Sequence, residues 1–72
     1  MEKEARFRLA DRLKQLRKKY KYTQWELSEL SGVDYKHIQL LESKAPCAAK
    51  IDTLERIAKA FNISLSKLVD FK

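Results

Sequence analysis

The sequence predicts an all-α fold, a compact five-helix bundle forming a single domain over residues 1 to 72, and three observations predict it. Apolar side chains recur at intervals of three and four residues, the spacing that lines one face of a helix. Side chains able to cap helices stand just ahead of several of these stretches. One glycine and one proline are too few for a loop-rich or all-β chain. A chain of this length buries only roughly 60 to 65% of its unfolded surface, which favours helices packed on near neighbours.

The first helix is expected over about residues 4 to 19, where Leu9, Leu13, Leu16 and Tyr20 share a stripe and Arg and Lys fill much of the rest. The second runs over about 24 to 30. Thr23 and Glu26 form its capping box, and Tyr22 and Leu27 stand in the staple relation. The third runs over about 35 to 42, with Asp34 as its cap and Val33 stapled to Ile38. Between these two lies Gly32, which supplies the positive φ that a tight reversal needs without a Cβ clash. Ser43 to Lys50, with Pro46 and three alanines, is expected to cross the surface as a loop. The fourth helix, about 52 to 61, buries Leu54, Ile57, Ala58 and Phe61 behind an Asp52/Glu55 capping box. The fifth is short: Ser64 caps it, Ile63 staples to Leu68, and Leu65 and Leu68 turn inward.

Residues 23 to 43 therefore have the form of a helix-turn-helix, whose second helix can enter the major groove of DNA. The charge fits that expectation. Residues 1 to 22 hold nine Lys/Arg against three Asp/Glu, whereas residues 23 to 72 hold seven of each, so the whole excess of +6 lies on the first segment. Beside a helix-turn-helix, such a segment attracts a polyanion. On the third helix, Ile38 and Leu41 point to the core. Lys36, Gln39, Leu40 and Ser43 lie on the opposite side, with Tyr35 at the start, and these five form the base-reading set. Lys36 can donate to guanine O6 and N7, and Gln39 can pair with adenine or a phosphate. Leu40 either touches a thymine methyl or packs on a neighbouring side chain. Phosphate anchoring is assigned to Gln24 at the start of the second helix, to Lys18, Lys19 and Lys21, and to Lys44 and Lys50 in the loop.

Other chemistry finds little support. The single cysteine, Cys47, reads as a reduced loop thiol and cannot form an internal disulfide. His37 and Cys47 lack metal-ligand spacing, so no metal and no cofactor is expected. Trp25 either packs on the first helix or touches a sugar-phosphate. No acid pair, nucleophile-base set or glycine-rich phosphate loop is present, which argues against an enzyme. No stretch approaches the length of a signal-peptide core or membrane span, which implies a cytoplasmic location.

The ordered set Leu9, Leu13, Leu16-Arg17, Thr23-Gln24, Leu27, Gly32-Val33, Ile38, Glu42, Thr53-Leu54, Ile57-Ala58 and Ser64-Leu65 resembles the phage repressor and Cro family, the XRE-type helix-turn-helix, over about residues 6 to 70. That resemblance implies a lambda-repressor-like DNA-binding domain that works as a dimer on two half-sites. It also implies that Arg17 pairs with Glu42 and ties the first helix to the third. Three departures stand out: Lys21 where the family commonly has Gly, Ser28 where it often has Ala, and Ser43-Lys44 where the loop usually begins with Asn or Arg and then Gly. The spacing from that loop to the fourth helix is also about one residue longer than usual.

These readings converge on a sequence-specific regulator of double-stranded DNA, a repressor acting as a homodimer on a palindromic operator. Val69 and Phe71 remain apolar once Leu65 and Leu68 are assigned inward, which marks the carboxyl end as the dimer contact. The alternative is an antitoxin that binds a toxin protein and its own operator. A membrane-surface reading of the first helix has the charge but lacks the large apolar face with bulky anchors.

Overall fold

The computed structural model describes residues 3 to 70. Five helices follow one another, α1 (Lys3–Tyr20), α2 (Gln24–Ser31), α3 (Tyr35–Leu41), α4 (Ile51–Ala60) and α5 (Leu65–Leu68), with no strand among the described residues. Each helix expected from the sequence is present, and the ends differ by a residue or so.

The apolar stripes meet in one core. Leu9, Leu13 and Leu16 of α1, Leu27 of α2, Ile38 and Leu41 of α3, Leu54, Ile57 and Ala58 of α4, then Phe61 and Leu68, form a single buried cluster. Complete burial of a Leu, Ile or Phe side chain stabilises by about 1.5 to 3 kcal/mol, so the cluster is the main source of cohesion in helices too short to persist alone. α2 sits centrally, packed on both α3 and α4. Tyr20 and Tyr22 close over Phe61, with ring centroids 5.2 and 5.7 Å away.

Local chemistry sets the junctions. Thr23 Oγ1 accepts from the Glu26 amide at 3.0 Å and Glu26 Oε1 accepts from the Thr23 amide at 2.9 Å, the reciprocal capping box expected of α2. Gly32 adopts φ 73° and its amide donates to the Ser28 carbonyl, ending α2. Lys21 takes the same left-handed conformation at φ 59°, so the turn after α1 keeps its shape without glycine, at a cost of about 1 kcal/mol. Asn62 does likewise at φ 58° between α4 and α5, where the short polar side chain makes it easier. Ser64 caps α5 by accepting from the Lys67 amide.

Three local expectations are corrected. Asp34 occupies the N-cap of α3, but its exposed side chain makes no capping hydrogen bond. α4 begins at Ile51 with Lys50 as its N-cap, so Asp52 lies inside the first turn and the Asp52/Glu55 capping box does not form. Asp52 there still faces the positive end of the helix dipole. The loop from Ser43 to Lys50 is not simply a surface crossing: Pro46 is buried, and Cys47 and Ala49 pack against the core. The segment that joins α3 to α4 thus adds apolar side chains to the core.

Candidate nucleic-acid interface

α3 is held from behind by a buried ion pair. Arg17 Nε donates to Glu42 Oε2 and Arg17 Nη2 to Glu42 Oε1, each at 2.6 Å, in a two-pronged contact between α1 and the residue that closes α3. The Arg17 side chain is 21% exposed and that of Glu42 only 1%. Arg17 Nη1 also donates to the Tyr22 carbonyl at 3.1 Å, and Gln24 Nε2 reaches Glu42 Oε1 at 3.4 Å. The carboxylate thus links α1, α2 and α3, and Arg17 extends the link to the α1–α2 turn. Hydrogen bonding to Glu42 holds the Arg17 guanidinium above its ordinary pKa despite the opposing effect of burial. With Glu42 ionised, the stability linked to Arg17's own ionisation is fully present below the ordinary arginine range and is lost as pH rises through the raised value.

The turn between α2 and α3 is fastened by two serines as well as by Gly32. Ser28 Oγ donates to the Val33 carbonyl at 2.7 Å. Ser31, which is buried, donates to the Leu27 carbonyl at 2.7 Å and accepts from the Val33 amide at 3.2 Å. The family resemblance marks Ser28 only as a departure from alanine, and nothing in the sequence assigns Ser31 a role. The only signal available was a pair of hydroxyl residues in the last turn of α2, close enough to reach the backbone groups of Val33 just past Gly32.

The outward side of α3 is accessible. Lys36, Gln39 and Leu40 are exposed, Tyr35 and Ser43 half-buried, and Ile38 and Leu41 turn to the core. All five residues proposed to read bases therefore keep accessible surface around one short helix and its end. The Ser43 hydroxyl donates to the Leu40 carbonyl at 2.8 Å, which leaves its oxygen as an acceptor. Leu40 is 45% exposed, so any neighbouring contact covers only part of it.

Trp25 finds its aromatic partner on α3 rather than on α1. Its indole is 56% exposed and meets the Tyr35 ring edge-on, with centroids 5.3 Å apart, joining the first turns of α2 and α3. Lys18, Lys21, Lys44 and Lys50 are exposed, and Gln24 is half-buried through its contact with Glu42. Lys19 is exposed too, but it borders a hollow shared with α5. Val69 is half-buried and packs on the core, so part of its apolar surface is already occupied. Phe71 lies outside the described residues.

His37 is half-buried on α3. Cys47 is half-buried with a free thiol. Among the described residues no group of three or more His, Cys, Asp or Glu side chains is placed to hold a metal ion. None of their helices is long and apolar enough to cross a membrane.

A glycine-ended helix, a stitched turn and a second helix tied by its inner side with its outer side exposed define a helix-turn-helix of the DNA-binding type. A helix-turn-helix family model matches residues 13–68, so the chain belongs to the XRE-type helix-turn-helix family, Cro/CI-like, whose members are DNA-binding transcription regulators. No curated protein and no solved structure matches the chain significantly.

Proposed function

We propose that this protein is a repressor that binds a palindromic operator as a homodimer, with α3 of each copy in the major groove. The observation that carries the reading is the division of α3: Ile38, Leu41 and Glu42 are buried on one side while Lys36, Gln39 and Leu40 are exposed on the other. A helix anchored in this way presents its outer side chains to base edges at a fixed angle. Lys36 and Gln39 supply the polar contacts, Tyr35 and Ser43 flank them, and Leu40 meets a thymine methyl. Lys18, Lys21 and Gln24 hold phosphates on one side and Lys44 and Lys50 on the other, with Lys19 at the margin. Trp25, exposed beside Tyr35, touches the sugar-phosphate backbone in this reading. As a regulator the protein needs no catalysis, and it works in the cytoplasm, where the DNA is.

A single recognition helix reads only a few base pairs, so two copies related by a twofold axis are needed, with half-sites about one helical turn, roughly 34 Å, apart. The carboxyl end, through Val69 and Phe71, is the proposed contact between copies. Val69→Asp with Phe71→Asp should leave a folded monomer by sedimentation, and a persistent dimer would move the interface elsewhere.

The decisive experiment is selection of bound sequences from random duplexes, followed by salt titration of the winning site. A twofold-symmetric site should emerge, and log K should fall with log salt at about −0.9 per phosphate neutralised. No enriched site, or a nearly flat salt plot, would overturn the reading. Binding of the site only in the presence of a toxin protein would make it an antitoxin instead.

A further inference from the structure

We propose that the hollow between α1 and α5 is a binding site for a small organic phosphate, which shares only Lys19, at its margin, with the surface assigned to DNA. The hollow has a volume of about 270 Å³ and is lined by three cations, Arg12, Lys19 and Lys67, with Leu16 and Ile63 as an apolar floor and Tyr20 beside them. Among the described residues no carboxylate lines it. Three like charges brought together from distant parts of the chain repel one another, and low-dielectric walls focus their field on whatever enters.

One of the three is locked in place. Arg12 Nε donates to the Leu68 carbonyl at 3.3 Å and Nη2 to the Lys67 carbonyl at 2.9 Å. Its charge is thus satisfied at the end of α5 by backbone oxygens, and Nη1 has no hydrogen-bond partner among the described residues. Lys19 and Lys67 are exposed and free to turn inward. A fixed guanidinium edge and two mobile ammonium groups match the three non-bridging oxygens of a phosphate monoester. The floor of Leu16 and Ile63 accepts the organic part. The size suits a small metabolite and falls just short of the range typical of larger ligands.

The occupant is not the duplex that α3 faces. At 100° per residue, Arg12, Leu16 and Lys19 lie roughly 100 to 160° around α1 from Arg17, the residue that points to α3. The hollow and the recognition helix therefore flank different sides of α1, and this inference stands whether or not α3 reads DNA.

The test is a titration of the full chain with phenyl phosphate and with inorganic phosphate, followed by amide chemical shifts in two-dimensional NMR. Saturable shifts are expected at residues 12 to 20 and 63 to 68, with phenyl phosphate binding more tightly because its ring covers Leu16 and Ile63. Lys19→Ala with Lys67→Ala should weaken phenyl phosphate about tenfold, and Lys59→Ala, an exposed lysine on α4, should not. Lys67→Gln alone, which keeps the stem, should give a smaller loss in the same direction. Non-saturating shifts spread over Lys18, Lys21 and Lys44 would show a diffuse basic surface and overturn the proposal. So would equal affinity in the double variant and Lys59→Ala.

Discussion

On its inner side α3 carries Ile38 and Leu41, followed at once by Glu42, all buried; on its outer side, within the same two turns, Lys36, Gln39 and Leu40 are exposed. The inner residues join a core shared by every helix and an ion pair that reaches back to α1. The outer ones touch little of the protein. A seven-residue helix has no stability of its own, so its position is set wholly from behind. Stability and recognition are thereby separated by side on one element, and substitutions on the two sides should act on different observables.

The largest effects belong to the ion pair and should be unequal between its partners. Arg17→Ala strands a carboxylate that is 1% exposed, with only the long contact from Gln24 left. A loss of roughly 3 to 5 kcal/mol is expected in urea unfolding, enough to unfold much of a domain this size. Glu42→Gln leaves Arg17 its bond to the Tyr22 carbonyl and some access to water, so about 1 to 3 kcal/mol is expected. Equal losses would mean that the two groups are equally solvated. Replacing both with apolar residues should recover much of the deficit, because no buried charge is then left unpaired.

Ile38→Ala comes next. The side chain is fully buried, so roughly 2 to 5 kcal/mol of stability should disappear, and DNA binding should fall only in proportion to the unfolded fraction. Lys36→Ala is its mirror image: a thermal midpoint close to that of the parent, with about 1 to 3 kcal/mol of discrimination lost at one base pair in each half-site. If Lys36→Ala instead lowers the midpoint by as much as Ile38→Ala, the two sides are not separate. The smallest effect concerns the turn that aims α3. A Cβ at Gly32 would meet nothing within 4 Å, so Gly32→Ala should cost about 1 kcal/mol through φ 73° alone. A Lys21→Gly change should stabilise by a comparable amount, since it relieves the same strain at φ 59°. Calorimetry on both variants checks the pair.

Features with a period or a fixed local spacing were legible in the sequence. The helices, the α1 stripe, the inner and outer sides of α3, the Thr23–Glu26 box and Gly32 all follow from neighbours within one or two turns. Arg17 and Glu42 are 25 residues apart, and their pairing came only with the family resemblance. Where two local readings competed, tertiary structure decided. Asp52 had capping chemistry, but α4 extends one residue further back and places it inside the helix. Pro46 and Cys47 read as surface loop because nothing periodic marks them, yet Pro46 is buried and Cys47 packs on the core. The Trp25–Tyr35 contact, the serines that fasten the turn and the cations around the α1–α5 hollow arise from how helices are brought together, which no spacing within one helix reveals.

The placement of Trp25 has a practical consequence. It is the only tryptophan in the chain, and its ring rests on Tyr35 at the mouth of the helix-turn-helix, away from the buried cluster. Its emission therefore reports the α2–α3 junction and its solvent, while far-ultraviolet circular dichroism reports all five helices. A thermal scan followed by both signals would separate loosening of the reading head from collapse of the whole, and a duplex that seats against Tyr35 would announce itself as a change in colour and lifetime without any added label.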